Sequence, residues 1–362
     1  MIAAAISRRA LGATAFVLGA ATLSSCADPN TITLRVGAGH PAGPSVYATE
    51  LRDFFVPELK RRVAEETGYE LTVIEGYSGS IATVSETLEA VESGMLDIGA
   101  YCVCFEPAKL FLHNFQYFVP FAPRSSVEAI RVARAVYDKH PWLEQQLVEN
   151  YDQELLALNG WDDYHLGTVA PWDDIDDLNG VKIGGAGPNL PWLGYVGAVP
   201  VQSTLPDGYM AMQTGVYSGW LMFPSAYYGY KFQEPAPYYT LIGFGAMGGA
   251  IVVTMNSRSL QRLPDDVRKI VREVGHAYEQ HAARALEERQ ARGLRDLRGS
   301  GAEVRAIAES VRADWARSLT PFPARMAEDA NARGMPGSEI IRAYIEEAEQ
   351  GGHRWPVVYA ID

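Results

Sequence analysis

The sequence predicts an α/β fold in two domains, each a β-sheet flanked by helices. Three observations carry this. The chain has 362 residues, more than one small core organises. Hydrophobic residues make up 48% and charged residues 21%, the balance of a folded chain. β-rich runs alternate with stretches of helical period, the pattern of a mostly parallel sheet covered by helices.

Residues 31–36 alternate and are β-rich, then break at Gly37-Ala38-Gly39-His40-Pro41. Residues 47–66 carry Leu51, Phe54, Phe55, Leu59 and Val63 at helical spacing, and Gly68 ends the run. Residues 71–74 form a second strand stopped by Gly76-Tyr77-Ser78-Gly79-Ser80. Val84, Leu88, Val91 and Met95 mark another helix, and residues 96–103 a third strand. Residues 127–150 read as helix and 154–158 as strand. Residues 159–177 read as an acidic loop. Short strands follow at 181–183 and 199–201, with helices at 190–196 and 206–215. Strands 239–242 and 250–255 flank a glycine-rich break. Residues 263–297 form a long helix whose first turn carries Pro264, Asp265 and Asp266. Helices at 303–319 and 337–349 close the chain. No repeat and no linker stands out, so the two domains are expected to be joined by crossing strands and helices.

The first residues give an address. Arg8 and Arg9 precede residues 10–23, an uncharged apolar run of signal-peptide length. Leu23-Ser24-Ser25-Cys26 resembles a bacterial lipobox, and Ser7-Arg8-Arg9-Ala10-Leu11 resembles a twin-arginine export signal. This implies a signal peptide over 1–25, lipidation at Cys26 and a chain tethered to a membrane in the periplasm. With 31 basic against 44 acidic residues the formal charge is −13, which argues against a nucleic-acid partner.

Chemistry-bearing patterns are weak. Gly37-Ala38-Gly39-His40-Pro41-Ala42 fits a dinucleotide-binding turn between a strand and a helix, but Pro41 and Pro44 remove two backbone donors. Gly243-Phe244-Gly245-Ala246-Met247-Gly248 fits the same spacing but precedes a strand, so it reads as a turn or hinge. Gly76-Tyr77-Ser78-Gly79-Ser80 misses a nucleophile elbow at its last position. Cys102 and Cys104 lie two apart on a predicted strand, which disfavours a disulfide. They read as buried thiols, with a metal site including His113 as an alternative. Asp162-Asp163-Tyr164-His165 could hold a cation. No catalytic residue, cofactor or resident metal is expected. Aromatic residues crowd the stretch from Trp161 to Tyr230, many at predicted strand ends, where open α/β sheets bind ligands.

Four stretches resemble the dicarboxylate-type solute receptors of tripartite ATP-independent periplasmic (TRAP) transporters. They are Glu86-Thr87-Leu88-Glu89-Ala90-Val91-Glu92-Ser93-Gly94-Met95-Leu96-Asp97-Ile98-Gly99, Asn114-Phe115-Gln116-Tyr117-Phe118-Val119-Pro120-Phe121, Asp177-Leu178-Asn179-Gly180-Val181-Lys182-Ile183, and Tyr209-Met210-Ala211-Met212-Gln213-Thr214-Gly215-Val216-Tyr217-Ser218-Gly219. The resemblance implies a periplasmic-binding-protein-like clamp. Its first domain would take residues 31–155 and 243–285, and residues 156–242 and 286–350 would make up its second domain and the connecting helices. It implies a small-molecule ligand between the domains, delivery to a membrane permease and no catalysis. An exported oxidoreductase with a nucleotide-type cofactor and a lipid-carrying lipoprotein are the alternatives.

The departures from the family pattern bear on the ligand. The family's lysine-isoleucine-arginine run, whose arginine clamps a carboxylate, ends here at Gly184. A second basic position matches Tyr164, and Met222 or Phe223 stands near an expected asparagine. The ligand is therefore expected to be apolar or aromatic rather than a simple dicarboxylate. An aromatic acid would need another base, such as His40. A boxed amine with Asp162 or Asp163 nearby is also open. The cleft is expected to be lined by His40, Tyr77, Ser78, Tyr101, Trp161, Tyr164, Gly184, Trp220, Met222, Phe223 and Tyr227.

Overall fold

The structure, a computed structural model, describes residues 30–362; the export segment and Cys26 lie outside them. Eleven strands fall into two sheets among the described residues. They are β1 (Thr31–Ala38), β2 (Glu70–Gly76), β3 (Ile98–Cys102), β4 (Gln153–Trp161), β5 (His165–Thr168), β6 (Lys182–Gly185), β7 (Val199–Gln202), β8 (Gly219–Met222), β9 (Tyr238–Leu241), β10 (Met247–Asn256) and β11 (Glu303–Ala306).

The first sheet has the order β2-β1-β3-β10-β4. β1 runs parallel to β2 and β3, because the helical segment spanning 46–66 carries the chain back before β2. β10 is buried along its whole length and antiparallel to both neighbours. The second sheet has the order β11-β9-β5-β8-β6-β7, with β5 antiparallel to β8 and β9. The sheets are thus more mixed than the mostly parallel arrangement expected. The reason is topological: the chain crosses between domains along β4–β5 and returns along β9–β10, and each crossing inserts a reversed strand.

Three short strands escaped the sequence reading. β5 lay inside the expected loop, β8 carries only four residues, and β11 was read as the start of a helix that begins at Glu309. The expected helix 127–150 is two, Ser126–Lys139 and Trp142–Tyr151, broken at Pro141.

The long helix Asp265–Gly299 serves both domains. A Cβ on Gly275 would meet the Leu156 carbonyl of β4 at 2.4 Å, and one on Gly293 would meet Ser225 of the second domain at 2.8 Å. Only glycine allows such approach at both ends. The last helix, Gly337–Gln350, expected among the second domain and the connecting helices, packs on helix Ser126–Lys139 of the first. Arg131 donates to the Glu347 carbonyl at 3.1 Å and Lys139 pairs with the Glu347 carboxylate.

Candidate functional site

The segments following β1, β2, β3, β6 and β7 and the ends of β4 and β8 converge between the two sheets. They enclose a cavity of about 660 Å³. From the first domain come His40 and Pro41 after β1, Ser78 after β2, Cys104 and Phe105 after β3, and Trp161 at the end of β4. From the second come Ala186 after β6, Gln202 at the end of β7 with residues 203–205 after it, Trp220 and Met222 of β8, Phe223 and Tyr230. Tyr164 lies on the connection between the domains. The loops after β1 and β2 are tied by Ser78 N–H donating to the His40 carbonyl at 3.3 Å.

One wall is aromatic. The Trp161 and Phe223 rings stack at 5.2 Å and 16°, and Tyr164 meets Phe223 edge-on at 5.2 Å. His40 stands edge-on to Trp161 at 6.0 Å, tilted against Phe105 at 5.6 Å. Among the lining residues there is no Lys, Arg, Asp or Glu. Burial pushes the His40 imidazole down to about 4, so it is neutral at ordinary pH. Its Nδ1 lies 2.8 Å from the Tyr47 hydroxyl. Burial likewise pushes the Tyr164 phenol well above its ordinary range.

The connections beside this wall are where carboxylates gather. Tyr164 N–H donates to the Gly245 carbonyl and Phe244 N–H to the Tyr164 carbonyl, both at 3.2 Å, so the two crossing strands are laced together. Asp163 accepts from Arg124 Nε at 2.6 Å and from Gly245 N–H at 2.9 Å. Asp162 accepts from the Ser225 hydroxyl at 3.1 Å and from its N–H at 3.4 Å. Burial raises the Asp162 carboxyl to about 7. His165 Nδ1 accepts from Gly243 N–H at 3.1 Å, and burial lowers this imidazole to about 4. The Asp162-Asp163-Tyr164-His165 run is therefore engaged with protein groups. Among the described residues no cluster of three or more His, Cys, Asp or Glu is arranged to hold a metal ion.

A family model described as bacterial extracellular solute-binding protein, family 7, matches residues 52–329. The chain belongs to this family. The family 7 chain is 30% identical over 138 residues to the C4-dicarboxylate-binding periplasmic protein DctP of Rhodobacter capsulatus, covering 38% of this chain and 41% of that relative. It thus spans about two-fifths of the length of the curated relatives it matches. Among solved structures it resembles a TRAP periplasmic solute-binding protein of Desulfovibrio salexigens in an open complex (TM-score 0.76, 21% identity, 88% of this chain and 96% of that one). It also resembles a TRAP solute-binding protein of an unidentified marine microbe, specific for aromatic acids and holding 3-hydroxybenzoate (TM-score 0.76, 18% identity, 88% and 98% covered). At these identities the two solved structures speak to the fold.

In this family 7 protein, seven of the sequence-predicted cleft residues meet at the cavity: His40, Ser78, Trp161, Tyr164, Trp220, Met222 and Phe223. Four do not. Tyr77 is half-buried and donates to Glu75 at 2.9 Å. Tyr101 points into the core, donating to Gln153 at 2.8 Å. Tyr227 donates to the Ala236 carbonyl at 2.7 Å and covers Gly167. Gly184 faces away from the opening, because Trp220 and Tyr217 fill the space a side chain would take: a Cβ there would lie 2.7 Å from each ring.

The cysteines also differ from expectation. Cys102 and Cys104 form a disulfide. The expected strand ends at Cys102 and a 3-10 turn, Val103–Phe105, follows, which swings the two sulfurs together. Cys102 Sγ accepts from the Trp161 indole N–H at 3.4 Å. His113 is engaged elsewhere, with Tyr137 at 2.8 Å and Gln146 at 2.9 Å. The nucleotide-like turn is filled by protein, since a Cβ on Gly39 would meet the Val84 backbone at 2.3 Å. Sequence reasoning missed Phe105, Cys104 and the 202–205 segment. The last follows a predicted strand, and strand position alone could have found it.

Proposed function

We propose that this chain is the solute receptor of a TRAP-type transporter. It is exported, held at a membrane by lipid on Cys26, and binds one small organic molecule with substantial apolar or aromatic surface between its domains. It then delivers that molecule to a membrane permease, without chemical change. The observation that carries this reading is the interdomain cavity walled by Trp161, Tyr164, Trp220 and Phe223 with no charged group among its lining residues. A dicarboxylate, named for the Rhodobacter relative, would be buried there without a cationic partner, at a cost of several kcal/mol. An aromatic frame, as in the 3-hydroxybenzoate held by the marine structural neighbour, suits the stacked wall.

The test is mass spectrometry of the small molecule released when protein purified from its native host is denatured. A ring-bearing or largely apolar compound at one copy per chain is expected. A C4-dicarboxylate would overturn the ligand reading, and a nucleotide would overturn the receptor reading. Mass analysis of the mature N-terminal peptide checks the anchor, with a diacylglyceryl group on Cys26 expected.

A further inference from the structure

His40 stands in the loop after β1, and Tyr47 in the helical segment that follows it. His40 lines the cavity, and three rings close around its imidazole: Tyr47 edge-on at 5.9 Å, Phe105 tilted at 5.6 Å and Trp161 edge-on at 6.0 Å. Nδ1 lies 2.8 Å from the Tyr47 hydroxyl. Nε2 engages no group among the described residues, yet it keeps solvent-accessible surface, whereas Nε2 of His165 is sealed in the interior. The two nitrogens of an imidazole point to different sides of the ring. With Nδ1 on Tyr47, Nε2 is therefore turned away from that hydroxyl, and its open surface faces the cavity that His40 lines.

The protein also decides which nitrogen carries the proton. Tyr47 is buried, and the one acceptor its O–H finds among the described residues is His40 Nδ1. A proton on Nδ1 would leave that buried O–H without an acceptor, which is costly. The phenol therefore donates to Nδ1, and the neutral ring holds its proton on Nε2. The same contact disfavours the imidazolium, in which both nitrogens are donors, and burial acts in the same direction.

No Lys, Arg, Asp or Glu lines the cavity. A carboxylate brought to one neutral N–H would lose its hydration and meet no cation, whereas a ketone, amide or ether oxygen loses far less and takes the same hydrogen bond. We infer that His40 is a specificity-determining residue, whose Nε2–H takes an uncharged oxygen acceptor of the ligand, and that Tyr47 is the positioning residue that keeps the proton on Nε2. The donor stands beside the Trp161–Phe223 wall, so a ring resting there presents its oxygen substituent to His40. This rests on the receptor reading above and narrows the ligand class from aromatic or apolar compounds to uncharged oxygen-bearing ones.

Nitrogen-15 spectra of histidine-labelled mature chain at neutral pH test the tautomer. His40, identified as the signal missing from His40→Phe, is expected to carry its proton on Nε2 and to show a bare Nδ1. Tyr47→Phe, which removes only the hydroxyl, is expected to populate the Nδ1–H form. A proton on Nδ1 in the unmodified chain would overturn the inference, and an unchanged tautomer in Tyr47→Phe would overturn the role of Tyr47. Acetophenone and α-methylstyrene share a shape and differ by the carbonyl oxygen. Titrated into the unmodified chain, the ketone is expected to bind about tenfold tighter, the effect of one hydrogen bond to a buried donor, and to shift the His40 Nε2 resonance. In His40→Phe the two are expected to bind alike. Benzoate is expected to bind more weakly than acetophenone. Equal affinity of the pair in the unmodified chain, or benzoate binding tighter than acetophenone, would overturn the inference and leave the receptor reading standing. No binding of any of the three probes at millimolar concentration would overturn the aromatic receptor reading itself. The spectra and the pair comparison on the unmodified chain stand even if a variant folds poorly.

Discussion

The indole of Trp161, which ends β4, and the ring of Phe223, which follows β8, lie stacked at 5.2 Å although the two strands belong to different sheets. Trp161 is braced from behind by its N–H to Cys102 Sγ and by the edges of His40 and Tyr47. Phe223 is braced by Tyr164. The pair joins the domains immediately beside the crossing strands. An aromatic contact of this kind contributes about 0.5–1.5 kcal/mol, so it biases the domains toward each other without locking them, and ligand contacts to both sides supply the rest.

If this pair forms a ligand-facing wall, Trp161→Ala should weaken binding of the co-purified ligand by at least ~1 kcal/mol, and Phe223→Ala similarly. Equilibrium titration measures it. An unchanged Kd in either variant removes that residue from the site.

Gly184 is a packing requirement before it is anything else. A methyl group there would collide with Trp220 and Tyr217, and overpacking of this kind costs about 1–3 kcal/mol. Gly184→Ala should lower the urea midpoint correspondingly and also weaken ligand binding, because Trp220 must shift. A variant as stable as the parent would show that the rings move freely.

Asp162 makes stability depend on pH in an unusual direction. Burial raises its carboxyl to about 7 in the folded chain, against ~4 for an exposed aspartate. Below both values each state is protonated and the group contributes nothing. Between them the unfolded chain releases the proton while the folded chain keeps it, so stability falls as pH rises. Above about 7 the buried carboxylate exerts its full penalty. Asp162→Asn, which keeps an acceptor for Ser225, should raise Tm by a few degrees at pH 8, by less at pH 6 and not at all at pH 3. A uniform shift at every pH would contradict this.

Ligand affinity should be flat from pH 5.5 to 8. His40 protonates only near pH 4, since burial lowers its imidazole to about 4, so no cation forms on the cavity wall in that range. Affinity for an anionic probe that climbs as pH drops from 7 to 5.5 would mean that His40 is charging there.

The disulfide bridges residues only two apart, so the chain entropy it removes is small, ~1–2 kcal/mol. Its larger effect should be local. Replacing both cysteines by Ala should leave the fold intact, lower stability by about that amount, and weaken ligand binding because Trp161 loses its sulfur acceptor. Chemical denaturation and titration separate the two effects.

Much of this architecture was written in local patterns. β1 to β4 are bounded by glycine and turn residues, the long helix by Pro264 and two aspartates, and the Asp177–Ile183 and Tyr209–Gly219 stretches by their resemblance to one family. The idea that the cleft lies past strand ends led directly to His40, Ser78 and Trp161, and the departures from the family pattern led to Trp220. Periodicity failed where pairing partners came from far away. β5, β8 and β11 are four residues each and are strands only because a neighbouring strand supplies their hydrogen bonds. The same limit applied to the aromatic residues. Tyr101 and Trp161 are both rings at strand ends, yet one reaches Gln153 in the core and the other reaches Phe223 across the domains.

What the sequence determined by itself was composition and local geometry: an α/β chain rich in rings, opening on a run that resembles an export signal, with Gly184 where the family resemblance implies an arginine. Which rings face the cavity, which cysteine turns toward its neighbour and which indole N–H is left without an acceptor were decided by the tertiary structure alone. The reason is that facing depends on what packs behind a side chain. Behind Trp220 that is Gly184 and Gly208, brought against one ring by the fold.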